Sequence, residues 1–145
     1  MEYSFWEEQS LIEVLYANFT EPVCREYDLT KTELDILLFL ANNPMFDSAS
    51  EIVKHRRISK AHVSLSLRSL QERKMVEASY AADNHRTLHL KLLPAADPII
   101  EAGRAAQKLF YLAATNGFTT RERERFCNAL DRIAENARIY AQKKG

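Results

Sequence analysis

The stretch from Ile58 to Leu92 constrains the fold more than any other part of this 145-residue chain. Ser59 is a good helix cap, because its hydroxyl can accept from the unpaired N–H groups of a first turn. Ile58 before it and Val63 inside it are placed as a hydrophobic staple. Val63, Leu67 and Leu70 recur at i, i+4 and i+7, so one narrow stripe of the helix faces a core. Ala61, Ser64, Leu65 and Arg68 fall on the opposite face, with Lys60 and His62 flanking it near the start. Val76–Ala82 and Thr87–Leu92 then read as two short strands, joined into a hairpin by the polar turn Asp83-Asn84-His85-Arg86. A helix with a small, polar outer face followed at once by a basic-tipped hairpin is the arrangement of a winged helix-turn-helix.

The flanking segments fit that reading. Thr30-Lys31-Thr32-Glu33 is a capping box, with Leu29 and Leu34 as its staple. The helix it opens carries Leu34, Leu37, Leu38 and Ala41 on one face and stops before Pro44. Ser48-Ala49-Ser50-Glu51 is a second capping box, opening a short helix to about His55; two helices joined by a short turn form the helix-turn-helix unit. Residues 4–26 read as a long helix with Phe5, Trp6, Leu11, Ile12, Val14, Leu15, Tyr16 and Phe19 on more than one face. Such a helix needs more than one partner surface. Pro22 should kink it or start a second short helix near Thr20. After the hairpin, either Pro94 or Pro98 starts a long helix to about Asn116, where Gly117 fits the left-handed cap. Thr119-Thr120-Arg121-Glu122 is a third box, opening a last helix to about Gln142 with a stripe of Phe126, Leu130, Ile133, Ala137 and Tyr140. The expected class is mainly α with a small β-hairpin wing, in one domain.

Charge is zero overall but unevenly spread. Residues 1–53 carry 11 acids and 2 bases, whereas residues 54–91 carry 9 bases and 3 acids. The basic block coincides with the helix and hairpin, which is the electrostatic footprint of a phosphate-backbone binder. There is no run of apolar residues long enough to span a membrane. The first residues carry acids where a signal peptide needs bases. Two cysteines, Cys24 and Cys127, without a secretory signal point to free thiols in a reducing cytoplasm.

In element order the whole chain resembles the multiple-antibiotic-resistance regulator (MarR) family of dimeric winged-helix repressors. The most specific parts are Leu29-Thr-Lys-Thr-Glu-Leu-Asp-Ile-Leu37, Ile58-Ser-Lys-Ala-His-Val-Ser64 and the wing. The family's Asp-x-Arg wing signature falls on Asn84-His85-Arg86, so its arginine maps to Arg86. The acid is replaced by Asn84, with Asp83 one place earlier, and Lys74 stands where a glycine usually precedes the first strand. The resemblance implies that about 1–28 and 94–145 are dimerisation helices around a DNA-binding region of about 29–93. It also implies release from DNA by small aromatic or phenolic ligands or by thiol oxidation.

The residue chemistry points the same way. Lys60 and Arg68 suit phosphates; Ala61 and Leu65 suit thymine methyls; His62 and Ser64 can donate or accept at bases. Arg86, flanked by Asn84 and His85, could enter a minor groove from the wing tip. Ser59 completes the candidate DNA-binding set. Tyr16, Phe19, Tyr27, Phe110 and Tyr111 read first as core and dimer packing, and the groove formed by Tyr16, Phe19, Tyr27 and Phe110 is where an effector would sit. Both cysteines read first as small buried hydrophobes; Cys24, beside Arg25, is the better candidate for a redox switch. His55 and His62 flank a turn, and His85 and His89 share one side of the hairpin, but no metal-ligand spacing occurs. No catalytic motif is present and no cofactor is expected. The expected partners are a pseudo-palindromic double-stranded operator and a second copy of the chain. The alternative is a winged-helix module for protein–protein contact without DNA binding.

Overall fold

The computed structural model describes residues 4–82 and 84–144. Asp83, part of the expected turn, lies outside the described residues. The chain divides into two compact units, Met1–Phe110 and Tyr111–Gly145.

In the first unit, α1 spans Ser4–Tyr27 and runs through Pro22 without starting a second helix. The proline sits where Thr20 and Val23 are buried and hold the helix against the core, and the Thr20 hydroxyl donates to the Tyr16 carbonyl at 3.1 Å within the same turns. α2 (Lys31–Asn42) begins at the expected box: Glu33 N–H donates to Thr30 Oγ1 at 3.1 Å, and Thr30 N–H donates to Glu33 Oε1 at 2.9 Å. One buried face was expected for α2, but Glu33, Leu34 and every residue from Ile36 to Leu40 are buried. The helix is the centre of the unit, packed by α1, α4 and the hairpin, so a face that periodicity marks as outer still meets protein.

α3 (Ala49–Arg56) keeps half of its box: Ser48 Oγ accepts from Glu51 N–H, while the Glu51 carboxylate pairs with His55 Nε2 at 2.9 Å. α4 (Lys60–Glu72) starts at Ser59, whose hydroxyl accepts from His62 N–H at 3.2 Å. Its end is a Schellman arrangement, with Met75 N–H on the Leu70 carbonyl and Lys74 N–H on the Gln71 carbonyl. Lys74 itself is left-handed at φ 56°, the conformation a glycine would take without strain.

The hairpin pairs β1 (Val76–Ala81) antiparallel with β2 (Asn84–Leu92) in the register Val76↔Leu92 to Tyr80↔Leu88, then slips to Ala81↔Asn84. Strand therefore extends into the stretch expected to be turn. Asn84 explains it: its Oδ1 accepts from Arg86 N–H and its Nδ2 donates to Thr87 Oγ1, which absorbs the extra residues as a side-chain-closed bulge. A 3-10 turn, Pro94–Ala96, leads directly into α5 (Asp97–Ala114), so both prolines belong to one entry.

Gly103 on α5 lies so close to α2 that an added Cβ would sit 2.7 Å from Leu38 Cδ2. Alanine would gain about 1 kcal/mol of helix propensity but would force Leu38, which is only 2% exposed, off its position. Gly103→Ala is expected to lower stability by about 1 kcal/mol net, read as an earlier midpoint in urea.

In the second unit, Gly117 is left-handed at φ 82° as expected. The Thr119–Glu122 box closes in both directions and opens α6 (Thr120–Lys144). No described residue of α6 is buried, and Phe126, Leu130, Ile133 and Tyr140 are all more than half exposed. Cys127, expected to be buried, is exposed too.

Candidate nucleic-acid interface

The rotation of α4 is fixed by its buried stripe. Val63, Leu67 and Leu70 are 0–2% exposed, and burying three such side chains outweighs any preference of the outer face. Lys60, Ala61, His62, Ser64, Leu65 and Arg68 are consequently exposed. Leu65 is 63% exposed, an isolated apolar side chain with no core to join. Ser59 is engaged as the cap, so its part at the interface is to fix where the helix starts.

The hairpin returns beside this face. A cleft of about 430 Å³ is lined by Ser50 and Val53 of α3, Lys60 and Ser64 of α4, and Tyr80 and Arg86 of the wing. Lys60 and Ser64 are thus brought to the same concavity as Arg86, with two cations and several hydroxyls above an apolar floor. Ser50 and Tyr80 were missed by the sequence reading; the hairpin register could have placed Tyr80 there, but nothing local marks Ser50. Asn84 shapes the backbone under Arg86, and the His85 ring lies 6.0 Å from that of Tyr80. The other two histidines serve the scaffold: His89 Nδ1 lies 3.2 Å from Asp47 Oδ1, and His55 stacks on Phe46. His85 and His89 therefore do not act as a pair, and no metal-binding cluster occurs among the described residues.

Of the four residues named for an effector groove, Tyr16 and Phe110 line one cavity. A cavity of about 450 Å³ is lined by Tyr16 and Phe110 together with Ile12, Leu34, Leu38 and the charged Lys31, Asp35 and Arg56. The Tyr16 and Phe110 rings meet edge to face at 5.2 Å. Phe19 and Tyr27 do not line it; they pack against the core instead. Phe19 is rotated off the Tyr16 face, and Tyr27 lies about 16 Å further along the helix.

Cys24 is half-buried on α1. Burial, then the Glu21 and Glu33 carboxylates, push its pKa up, and Arg25 is engaged by Glu21 at 3.0 Å. Both influences disfavour the thiolate, the form that reacts.

Residues 27–86 match the model of the MarR family. No curated protein matches the chain significantly by sequence. Solved structures do match by fold. A MarR protein from Peptoclostridium difficile has a TM-score of 0.84 at 14% identity, covering 100% of this chain and 94% of that one. A MarR family transcriptional regulator from Listeria monocytogenes, solved with a 26mer DNA, has a TM-score of 0.80 at 16% identity over 94% and 92% of the two chains. BpsR of Bordetella bronchiseptica, whose DNA binding is regulated by 6-hydroxynicotinic acid, has a TM-score of 0.72 at 17% identity over 90% and 98%. Residues 27–86 are thus similar in sequence to the MarR family, and the chain shares the fold of solved MarR proteins.

Proposed function

We propose that this protein is a sequence-specific, double-stranded DNA-binding transcriptional regulator, acting as a homodimeric repressor that a small aromatic molecule releases. The observation that carries the reading is the cleft where Lys60 and Ser64 of α4 meet Arg86 of the wing, beside the exposed Ala61, His62, Leu65 and Arg68. A helix whose outer face holds short side chains can approach base edges in a major groove, while the flanking cations take phosphates and the wing arginine takes a minor groove. Selection from random duplex DNA is the test. Two-fold related helices in successive major grooves require half-sites roughly 10 base pairs apart. Recovery of only an asymmetric half-site removes the dimeric reading, and recovery of no site turns the interface into a protein-contact surface.

The dimer rests on apolar area. Phe5, Trp6, Leu11 and Val14 of α1 and Phe126, Leu130, Ile133 and Tyr140 of α6 are all more than half exposed, more than a soluble monomer ordinarily leaves uncovered. The charges are complementary between copies: α1 carries five acids and one base, α6 seven bases and four acids. Light scattering at micromolar concentration is expected to give twice the chain mass, and Ile133→Glu to give the single mass.

The effector reading rests on the 450 Å³ cavity beside Tyr16 and Phe110, a size that suits a small aromatic ligand. BpsR supplies a reason to try 6-hydroxynicotinic acid first. Binding by calorimetry supports the reading, and its absence across aromatic acids and phenols removes it.

A further inference from the structure

Consecutive arginines close α3, and the fold uses them differently. Arg56 reaches back to α2 in a two-point contact with Asp35, Nη2 to Oδ1 at 2.7 Å and Nε to Oδ2 at 3.1 Å. Arg57 caps the helix at φ 53° and ψ 38°. This is the left-handed region, which a residue with a Cβ enters at a cost and glycine enters freely. The Arg57 side chain returns nothing to the fold for that strain. It is exposed and makes no ion pair among the described residues. A strained residue whose side chain is unused inside the protein points to a use outside it. Ser59, two residues later, caps α4, so Arg57 stands at the end of α4 that carries Lys60, Ala61, His62 and Ser64. Lys74 is equally left-handed, at φ 56°, and also exposed. It lies at the other end of α4, a helix of 13 residues and so about 20 Å long.

We propose, resting on the DNA-binding reading above, that Arg57 holds a backbone phosphate of the duplex at the approach to α4, and that the strained cap is kept because a glycine there would carry no charge. A phosphate is the partner rather than a base edge, because Arg57 lies ahead of the helix that enters the groove. Arg57 does not line the cleft of Lys60, Ser64 and Arg86, so its phosphate is one that the cleft does not hold. The local field suits an anion. Lys54, one turn earlier on α3, is exposed, and the neighbouring acids are already occupied, Asp35 by Arg56 and Glu51 by His55. The contact is also prepared in advance. The Asp35 fork fixes the last turn of α3 and the left-handed cap fixes the next residue, so Arg57 loses less freedom on meeting a phosphate than an arginine in a loose loop would.

Arg57→Gly removes the charge and the strain together. It is expected to raise the midpoint of thermal unfolding by about 2–4 °C and, present in both subunits, to shrink the slope of log affinity against log salt by about 1.8, at about 0.9 per phosphate. A gain in stability with a loss of salt dependence is not what a purely structural role would give. Lys74→Gly makes the same two changes at the other end of α4, and should gain stability while keeping the wild-type slope. Arg57→Lys keeps the charge and should keep the slope. Arg57→Asn, which also takes the left-handed conformation readily, repeats the loss of charge in case glycine loosens the turn. Ethylation interference on the selected duplex should show one phosphate per half-site whose ethylation weakens the wild type but not Arg57→Gly. A wild-type slope in both neutral variants of Arg57, or an equal loss in Lys74→Gly, would overturn the contact. If Arg68→Ala loses slope in the same titrations, the DNA-binding reading survives that failure; a wild type that binds no duplex overturns both.

Discussion

Alanine at Arg68 in both subunits is expected to shrink the slope of log affinity against log salt by about 1.8, at about 0.9 for each phosphate no longer neutralised. Sequence preference should barely change. Arg68 is exposed on the outer face of α4 and makes no ion pair among the described residues, so its charge is available to a backbone phosphate. His62 is the counterpart. Its backbone N–H is taken by the Ser59 cap, which sets His62 in the first turn of the helix, where base edges come within reach. His62→Ala is expected to change preference at particular positions by roughly 1–3 kcal/mol per affected base pair and to leave the salt slope nearly intact. Arg86→Ala should fall between, because a minor-groove arginine reads both charge and groove width. Salt titrations of each variant on the selected site and on a scrambled duplex measure all three. A wild-type slope in Arg68→Ala together with a reduced one in His62→Ala would mean that the helix sits rotated in the groove.

The second large effect concerns stability. Glu33 is 5% exposed, and it ties the start of α2 to α4: one carboxylate oxygen accepts from Thr30 N–H and the other from the Ser69 hydroxyl at 2.8 Å. Burial opposes its ionisation, but the Thr30 and Ser69 hydrogen bonds and the Arg73 charge outweigh burial and hold its pKa below the ordinary glutamate value. Glu33→Ala removes half of a capping box and leaves the half-buried Ser69 hydroxyl short of its acceptor. A loss of about 2–3 kcal/mol is expected in urea unfolding. A lowered folded-state pKa means that the unfolded chain takes up the proton first on acidification. The contribution is therefore complete above the unfolded value, near about 4.3, and fades as pH falls through the lower folded value. Glu33→Gln should flatten that part of the acid limb. An unchanged limb would show that the carboxylate is not ionised in the fold.

The sequence by itself determined the helix starts at Thr30, Ser59 and Thr119, the stop at Gly117 and the outward face of α4. Each depends on a hydrogen bond or a periodicity contained within a few residues, so no other part of the chain can easily override it. The box at Ser48 shows the limit: Glu51 had a competing partner in His55, and the tertiary setting chose between them. Left-handed helix ends at Asp28, Arg57 and Lys74 carry no glycine to announce them. Long-range contacts hold at least the first, as Arg73 donates to the Tyr27 and Asp28 carbonyls at 2.6 and 2.8 Å. The candidate interface divides the same way. Its helical half was legible as a period, because burying Val63, Leu67 and Leu70 leaves only one outer face. Only the folded chain decided that Tyr80 and Arg86 come to stand over Lys60 and Ser64, and that Arg56 closes on Asp35. Those meetings join residues that are distant in sequence, and their free energy exists only once α2, α3, α4 and the hairpin have packed, so no local pattern records them.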